Sequence, residues 1–170
     1  MVTDGESWVT RTLRRMRSAG CDPLLAVVGA AAAEVRALLS DDVMVVENAG
    51  WAEGLGSSLR AGLVAAADLP PAVDAALLML VDLPGVTGDE LRRFLTEFSD
   101  PRGAALGQAG YDGVPGHPVL LGRDHWAAVA AAVHGDVGAR AYLAEHGATV
   151  VRLGPAAVGA DRDRPEAPAD

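Results

Sequence analysis

A carboxylate closes an unbroken apolar stretch of this chain: residues 77–83 read Leu-Leu-Met-Leu-Val-Asp-Leu, and Pro84 follows. A continuous apolar run suits a strand buried on both faces, and Pro84 stops the ladder. Asp82 then stands at the carboxyl end of a strand, where open α/β sheets place their ligands. A carboxylate there suits a hard divalent cation. Mg²⁺ is held by one or two protein carboxylates together with substrate phosphates. The ordinary alternative is an Asp that begins a turn. A second stretch, "GLGSSL" (54–59), sets glycines beside two serines at a helix start. Free N–H groups at such a start, with Gly56, Ser57 and Ser58, can cradle a base, ribose or phosphate. Ser57 or Ser58 could equally be a helix cap. The stretch lacks the third glycine of a dinucleotide-binding fingerprint.

Two later segments carry further candidates. In "GHPVLL" (116–121), Gly116, His117 and Pro118 read as a turn before a strand, and His117 could touch a phosphate or carry a proton. A solvated loop histidine is the plain alternative. In "GDVGAR" (135–140), Asp136 reads as a helix cap and Arg140 could grip an anion in bidentate fashion. Arg140 could also pair with Asp136. The tail "DRDRPE" (161–166) could be solvated charge or could bring an acid back to a metal. No two histidines have zinc-ligand spacing.

The elements that must position these groups alternate. A first helix near 8–18 is followed by strands at 24–29, 43–48 and 75–82, with helices at 31–40 and 57–68 between them. A helix at 88–98, strands at 103–109 and 117–122, helices at 124–133 and 137–147, and a strand at 148–153 complete the order. Such alternation predicts an α/β fold, a three-layer sandwich around a mainly parallel sheet. The chain opens on a helix with no strand before it. One domain is expected over 1–160, with 161–170 a polar, proline-rich tail.

The formal net charge of -9 over 170 residues argues against nucleic acid and anionic membrane partners. All 14 basic residues are arginines, so no lysine is present. A single cysteine excludes a disulfide framework and suits a reducing cytoplasm.

Taken in order, these segments resemble the MobA-like nucleotidyltransferase superfamily, and within it the MocA-type molybdenum cofactor cytidylyltransferases. "NAGWAEGLGSSLRAGL" is similar to that branch's Asn-x-x-Trp-x-x-Gly-Met-x-x-Ser-Leu stretch, and "LVDLPGVT" to its Asp-Met-Pro metal loop. "GHPVLL", "GDVGAR" and "DRDRPE" match its Gly-(His/Asn)-Pro, Gly-Asp-x-Gly-Ala-Arg and Asp-x-Asp-x-Pro-Glu segments. The resemblance implies a Rossmann-like sheet of the nucleotide-diphospho-sugar transferase type. It also implies CMP transfer from CTP to molybdopterin, with Mg²⁺ on Asp82 and Asp163. Gly56, Ser57 and Ser58 would lie along the nucleotide. Gly116, His117, Pro118, Asp136 and Arg140 would face the acceptor.

The superfamily opens with a strand and a Gly-rich loop whose Arg and Lys hold the triphosphate, and this chain has no such segment. Its activity is therefore expected to be weak or nil. A misassigned start, a degenerate nucleotide- or protein-binding member, or completion by another subunit would each account for that. Two alternatives stand beside cytidylyl transfer: a transferase using GTP or another phosphorylated acceptor, and a non-catalytic module binding a molybdoenzyme or its chaperone. A sheet lacking a strand would expose unpaired backbone, so self-association is expected.

Overall fold

The computed structural model describes residues 2–3, 6–136 and 138–155. A short antiparallel ribbon, β1 (Val2–Thr3) with β2 (Glu6–Ser7), leads into helix α1 (Trp8–Ser18). Ser7 starts that helix: its hydroxyl accepts the Thr10 N–H at 3.2 Å, and Arg15 and Arg17 sit in the last turn, where the helix dipole favours cations. Strands β3 (Leu24–Val28) and β4 (Val43–Glu47) run parallel across the short helix α2 (Ala32–Arg36). A 3-10 turn (Trp51–Glu53) precedes helix α3 (Leu55–Ala67), which crosses over to β5 (Ala75–Leu78).

Helix α4 (Gly88–Thr96) begins with a reciprocal cap. The Thr87 hydroxyl accepts from Glu90 N–H, and the Glu90 carboxylate accepts from Thr87 N–H at 2.7 Å. Then come β6 (Leu106–Tyr111), β7 (Val114–Gly122), α5 (Arg123–Ala132), α6 (Arg140–Glu145) and β8 (Thr149–Gly154). The β6–β7 hairpin turns on Asp112 and Gly113, both at positive φ (49° and 85°), as a two-residue primed turn requires.

The expected α/β architecture is present, and its sheet is mixed. The larger sheet has the order β5-β7-β6-β8, with β7 antiparallel to both neighbours and β6 parallel to β8. Hence β5, β6 and β8 share one direction and β7 alone opposes it. Strands β3 and β4 form a separate two-stranded sheet.

Alternating side chains divide the larger sheet's core. Val119 and Leu121 face α3, α5 and α6 with Leu63, Trp126, Val129 and Leu143. Leu120, Ala109 and Tyr111 face α4 through Leu91 and Phe94. Leu13 of α1 covers Leu24, Ala26 and Val43 of the smaller sheet. Arg123 fastens the α3–β5 connection, donating to the carbonyls of Ala67, Leu69, Pro70 and Val73 while its guanidinium lies 5.0 Å from the Trp126 ring centroid.

Three local expectations change. The strand read over 75–82 ends at Leu78, and Val81 and Asp82 form a turn. β5 is also half-buried along its whole length, because one of its edges borders a cavity instead of a neighbouring strand. Gly116, His117 and Pro118 are not the turn before a strand. They lie inside β7, because the Asp112–Gly113 turn reverses the chain earlier.

Candidate functional site at the carboxyl ends of the strands

β7 carries an irregularity where the candidates gather. Gln108 pairs with Val119 and Ala109 with Gly116, so His117 and Pro118 are extra residues opposite one step of β6. The pairing of β5 with β7 also stops at Leu78 and Val119. A bulge re-aims side chains, and it is where a strand tolerates proline. Pro118 is fully buried, and His117 lines the cavity beyond the end of β5. Burial holds the His117 imidazole below its usual pKa, so the ring is neutral at pH 7. The Tyr111 hydroxyl donates to the His117 carbonyl at 2.7 Å and fixes the bulge; burial, with Glu90 adding, pushes the Tyr111 pKa up to about 12.

Asp82 sits on a braced loop. Leu83 and Val86 on its carboxyl side are buried in the α4 core. From α1, Arg15 donates to the Pro84 carbonyl at 3.0 Å and approaches the Leu83 carbonyl at 3.5 Å. Asp82 itself is partly exposed, and its neighbour Val81 lines the cavity. Arg15 was invisible to sequence reasoning, since its partners lie 68 and 69 residues away.

Across the mouth, Asn48 ties the β4 exit to α3. Its backbone N–H donates to the Val28 carbonyl at 2.8 Å. Its side-chain oxygen accepts the Gly50 N–H at 3.0 Å, and its amide donates to Ser57 Oγ at 2.8 Å and Ser58 Oγ at 3.1 Å. Ser57 is buried, and its hydroxyl faces the Gly50 and Gly54 carbonyls at 3.0 and 2.9 Å. Ser57 and Ser58 are therefore not helix caps; α3 starts at Leu55 with Gly54 before it. The Gly56 N–H donates to the Gly135 carbonyl at 2.8 Å. Of the three nucleotide candidates, Ser58 is the one that lines the cavity.

Gly54 explains how two distant segments meet. Its φ is +106°, and a Cβ there would lie 2.6 Å from both Gly135 O and Asp136 Oδ1. Only glycine permits that backbone and that approach. Asp136 is thus set beside the α3 entry and does not cap α6, whose preceding residue is Ala139. Arg140 is exposed, lines the cavity, and makes no ion pair among the described residues. Trp51 packs over Gly29 at the end of β3, with about half of its surface exposed (49%).

Ser58, His117 and Arg140 line one cavity together, and Asp82 follows Val81, the last residue of its loop that lines it. Asp163 lies outside the described residues. Among those described, no cluster of three or more His, Cys, Asp or Glu side chains could hold a metal alone. A single hard carboxylate nevertheless fits a cation that takes its remaining oxygens from water and substrate phosphates. No helix of the described residues is long and apolar enough to cross a membrane.

Comparison with known proteins agrees with the α/β fold. The crystal structure of Rv0371c from Mycobacterium tuberculosis H37Rv superposes with a TM-score of 0.76 at 28% identity, covering 96% of this chain and 82% of that one. The same protein in complex with manganese gives 0.67 at 30% identity, over 91% and 78% of the two chains. A nucleotidyl transferase from Methanothermobacter thermautotroptrophicus gives 0.72 at 25% identity, over 91% and 73%. The Nicotine blue oxidoreductase of Paenarthrobacter nicotinovorans is 31% identical over 144 residues, 82% of this chain and 69% of the relative. The MobA-like NTP transferase domain matches residues 1–150, and the chain belongs to that family.

Proposed function

We propose that the chain is built for cytidylyl transfer from CTP to the terminal phosphate of a molybdopterin acceptor, with pyrophosphate leaving. The observation that carries this reading is Asp82 on its braced loop at the strand ends, in an NTP transferase domain whose solved relative binds manganese. Asp82, with Asp163, would hold Mg²⁺. A divalent cation supplies charge neutralisation on the phosphates when bound. The side chains do the positioning that such displacements need. Ser58 offers a hydroxyl to the nucleotide, and Arg140 holds an acceptor phosphate. His117, neutral at pH 7, accepts or donates one hydrogen bond at the bulge without adding charge. The product-side partner implied is a molybdoenzyme or its chaperone, and the cytoplasm is the compartment that fits.

Nucleotide binding gives a direct test. CTP with Mg²⁺ should raise the melting temperature more than GTP or ATP, and Asp82→Asn should abolish the rise. A preference for GTP would move the assignment to a related transferase. No Mg²⁺-dependent rise with any nucleotide would overturn the reading.

One observation favours a second reading: the curated relative is named an oxidoreductase. Reduction of a conjugated dye by this chain with a nicotinamide donor, independent of Asp82, would support it.

A further inference from the structure

Helix α3 presents two faces to two different tasks. Leu55, Ser58, Leu59, Gly62 and Ala66 recur at helical spacing and line the cavity. Gly56, Arg60 and Leu63 recur at i, i+4 and i+7 along a neighbouring face, and each meets the side of the fold that carries α5 and α6. The Gly56 N–H donates to the Gly135 carbonyl at 2.8 Å. Leu63 packs with Val129, Val133 and Leu143. Because the Gly56 and Ser57 amides already donate to the Gly135 and Gly54 carbonyls, the start of α3 holds this segment and not a phosphate.

Arg60 supplies the charged part of that contact. α5 ends at Ala132, and Val133 leaves it with an extended ψ of 135°. The last carbonyls of a helix have no partner within it and carry partial negative charge. The Arg60 fork answers two of them at once, donating through Nε to the Ala130 carbonyl at 3.2 Å and through a terminal nitrogen to the Val133 carbonyl.

The chain that follows is short and is held to α3 along its length. Arg140 comes seven residues after Val133. Between them Gly135 is bonded to Gly56, Asp136 sits against Gly54, and a Cβ on Gly138 would lie 3.9 Å from Leu55 Cδ2. Ala139 is buried in the same core as Leu63. This path delivers Arg140, exposed, to the cavity that Ser58 also lines.

We propose that Arg60 is a positioning residue for the acceptor. By holding the exit of α5 it sets Arg140 at a fixed offset from Ser58 on its own helix, so that a phosphate monoester gripped by Arg140 lies within reach of the nucleotide. The inference rests on the roles given to Ser58 and Arg140 above. A displacement at phosphorus is sensitive to misplacement of about 1 Å, and a helix keeps such an offset better than a loop does.

The test uses the whole chain, arginine side-chain NMR, and phenyl phosphate as the phosphate monoester. In the wild-type chain phenyl phosphate should shift the Arg140 Nε–H signal saturably, and Arg140→Gln should abolish the site. Arg60→Met should weaken phenyl phosphate about 10-fold, the worth of one charge-assisted hydrogen bond. It should change the Mg²⁺-dependent CTP melting shift much less. Arg60→Lys keeps the charge at the α5 carbonyls without the fork and should weaken phenyl phosphate about 3-fold, half of that effect on a logarithmic scale. Affinities are read well below each variant's Tm, where a loss of stability alone leaves them at the wild-type value. If Arg60→Met does not fold, Arg60→Lys carries the comparison. Wild-type affinity for phenyl phosphate in the folded Arg60 variants would overturn the proposal, and so would a wild-type Arg140 signal that phenyl phosphate leaves unmoved. Arg60-dependent binding of phenyl phosphate in a chain with no CTP shift would support the proposal and count against the nucleotide reading alone.

Discussion

Replacing Asn48 with alanine tests the joint between the β4 exit and helix α3. The side chain makes three hydrogen bonds: from Gly50 N–H at 3.0 Å, and to Ser57 and Ser58 at 2.8 and 3.1 Å. Intramolecular hydrogen bonds contribute about 0.5–1.5 kcal/mol each, so the set of three is worth roughly 1.5–4.5 kcal/mol. The loss falls short of the upper end, because the Ser57 hydroxyl keeps the Gly50 and Gly54 carbonyls and the half-buried Gly50 N–H can reach water. A loss of about 2–3 kcal/mol is expected, which at about 2–4 °C per kcal/mol for a domain of this size lowers Tm by roughly 4–12 °C. Urea unfolding gives the free energy, and calorimetry the midpoint. Asn48→Asp, which keeps the acceptor for Gly50 but loses the amide donors, should fall between. A change below about 0.5 kcal/mol for Asn48→Ala would refute the claim that this amide holds the joint.

Three further outcomes follow from the geometry. Arg15→Met should lower stability by about 1–3 kcal/mol through loss of a charged donor, and should weaken the Mg²⁺-dependent CTP shift by loosening the Asp82 loop; an unchanged CTP shift would separate α1 from the site. Gly54→Ala should cost about 2–4 kcal/mol in urea unfolding, because it strains a φ of +106° and drives a Cβ into Gly135; a neutral result would contradict the tight α3–Gly135 contact. Stability should fall at both ends of the pH range. The Tyr111 pKa is raised to about 12, so its contribution is complete below its unfolded value of about 10 and is lost as pH rises toward 12. The His117 pKa is lowered, so as pH falls below its unfolded value of about 6.5 the unfolded chain binds the proton first and stability declines. Tyr111→Phe should flatten the alkaline limb and His117→Gln the acid one, read from urea midpoints against pH.

The alternation of elements was legible because apolar runs and helix formers report backbone class locally. The capped α4 start at Thr87 and the helices around Trp126 and Leu143 followed the same signals. The position of β7 was not legible. Gly116, His117 and Pro118 read as a turn, whereas a bulge accommodates them inside the strand, and the deciding Asp112–Gly113 turn lay four residues earlier than His117. The apolar run 77–81 pointed to burial on both faces, and the half-exposed β5 reflects an edge that only the three-dimensional arrangement reveals. Site residues divided on the same principle. Asp82 and His117 stood out by residue type beside strands. Asn48 and Arg15 act through partners that meet only after folding, and the Gly54–Gly135 contact joins segments about eighty residues apart.

The most direct test of the central claim uses Mn²⁺ with CTP as a paramagnetic probe in NMR. If a metal–nucleotide complex sits at the carboxyl ends of the strands, the amides of Val81, Asp82, Leu83, Gly85, Gly116 and Ser58 should broaden, and Asp82→Asn should restore them. Signals at the opposite end of the strands, at Gly20 and Gly147, should stay sharp. Broadening centred on the exposed acids Asp41 and Asp42 before β4, unchanged by Asp82→Asn, would contradict a nucleotide site built around Asp82.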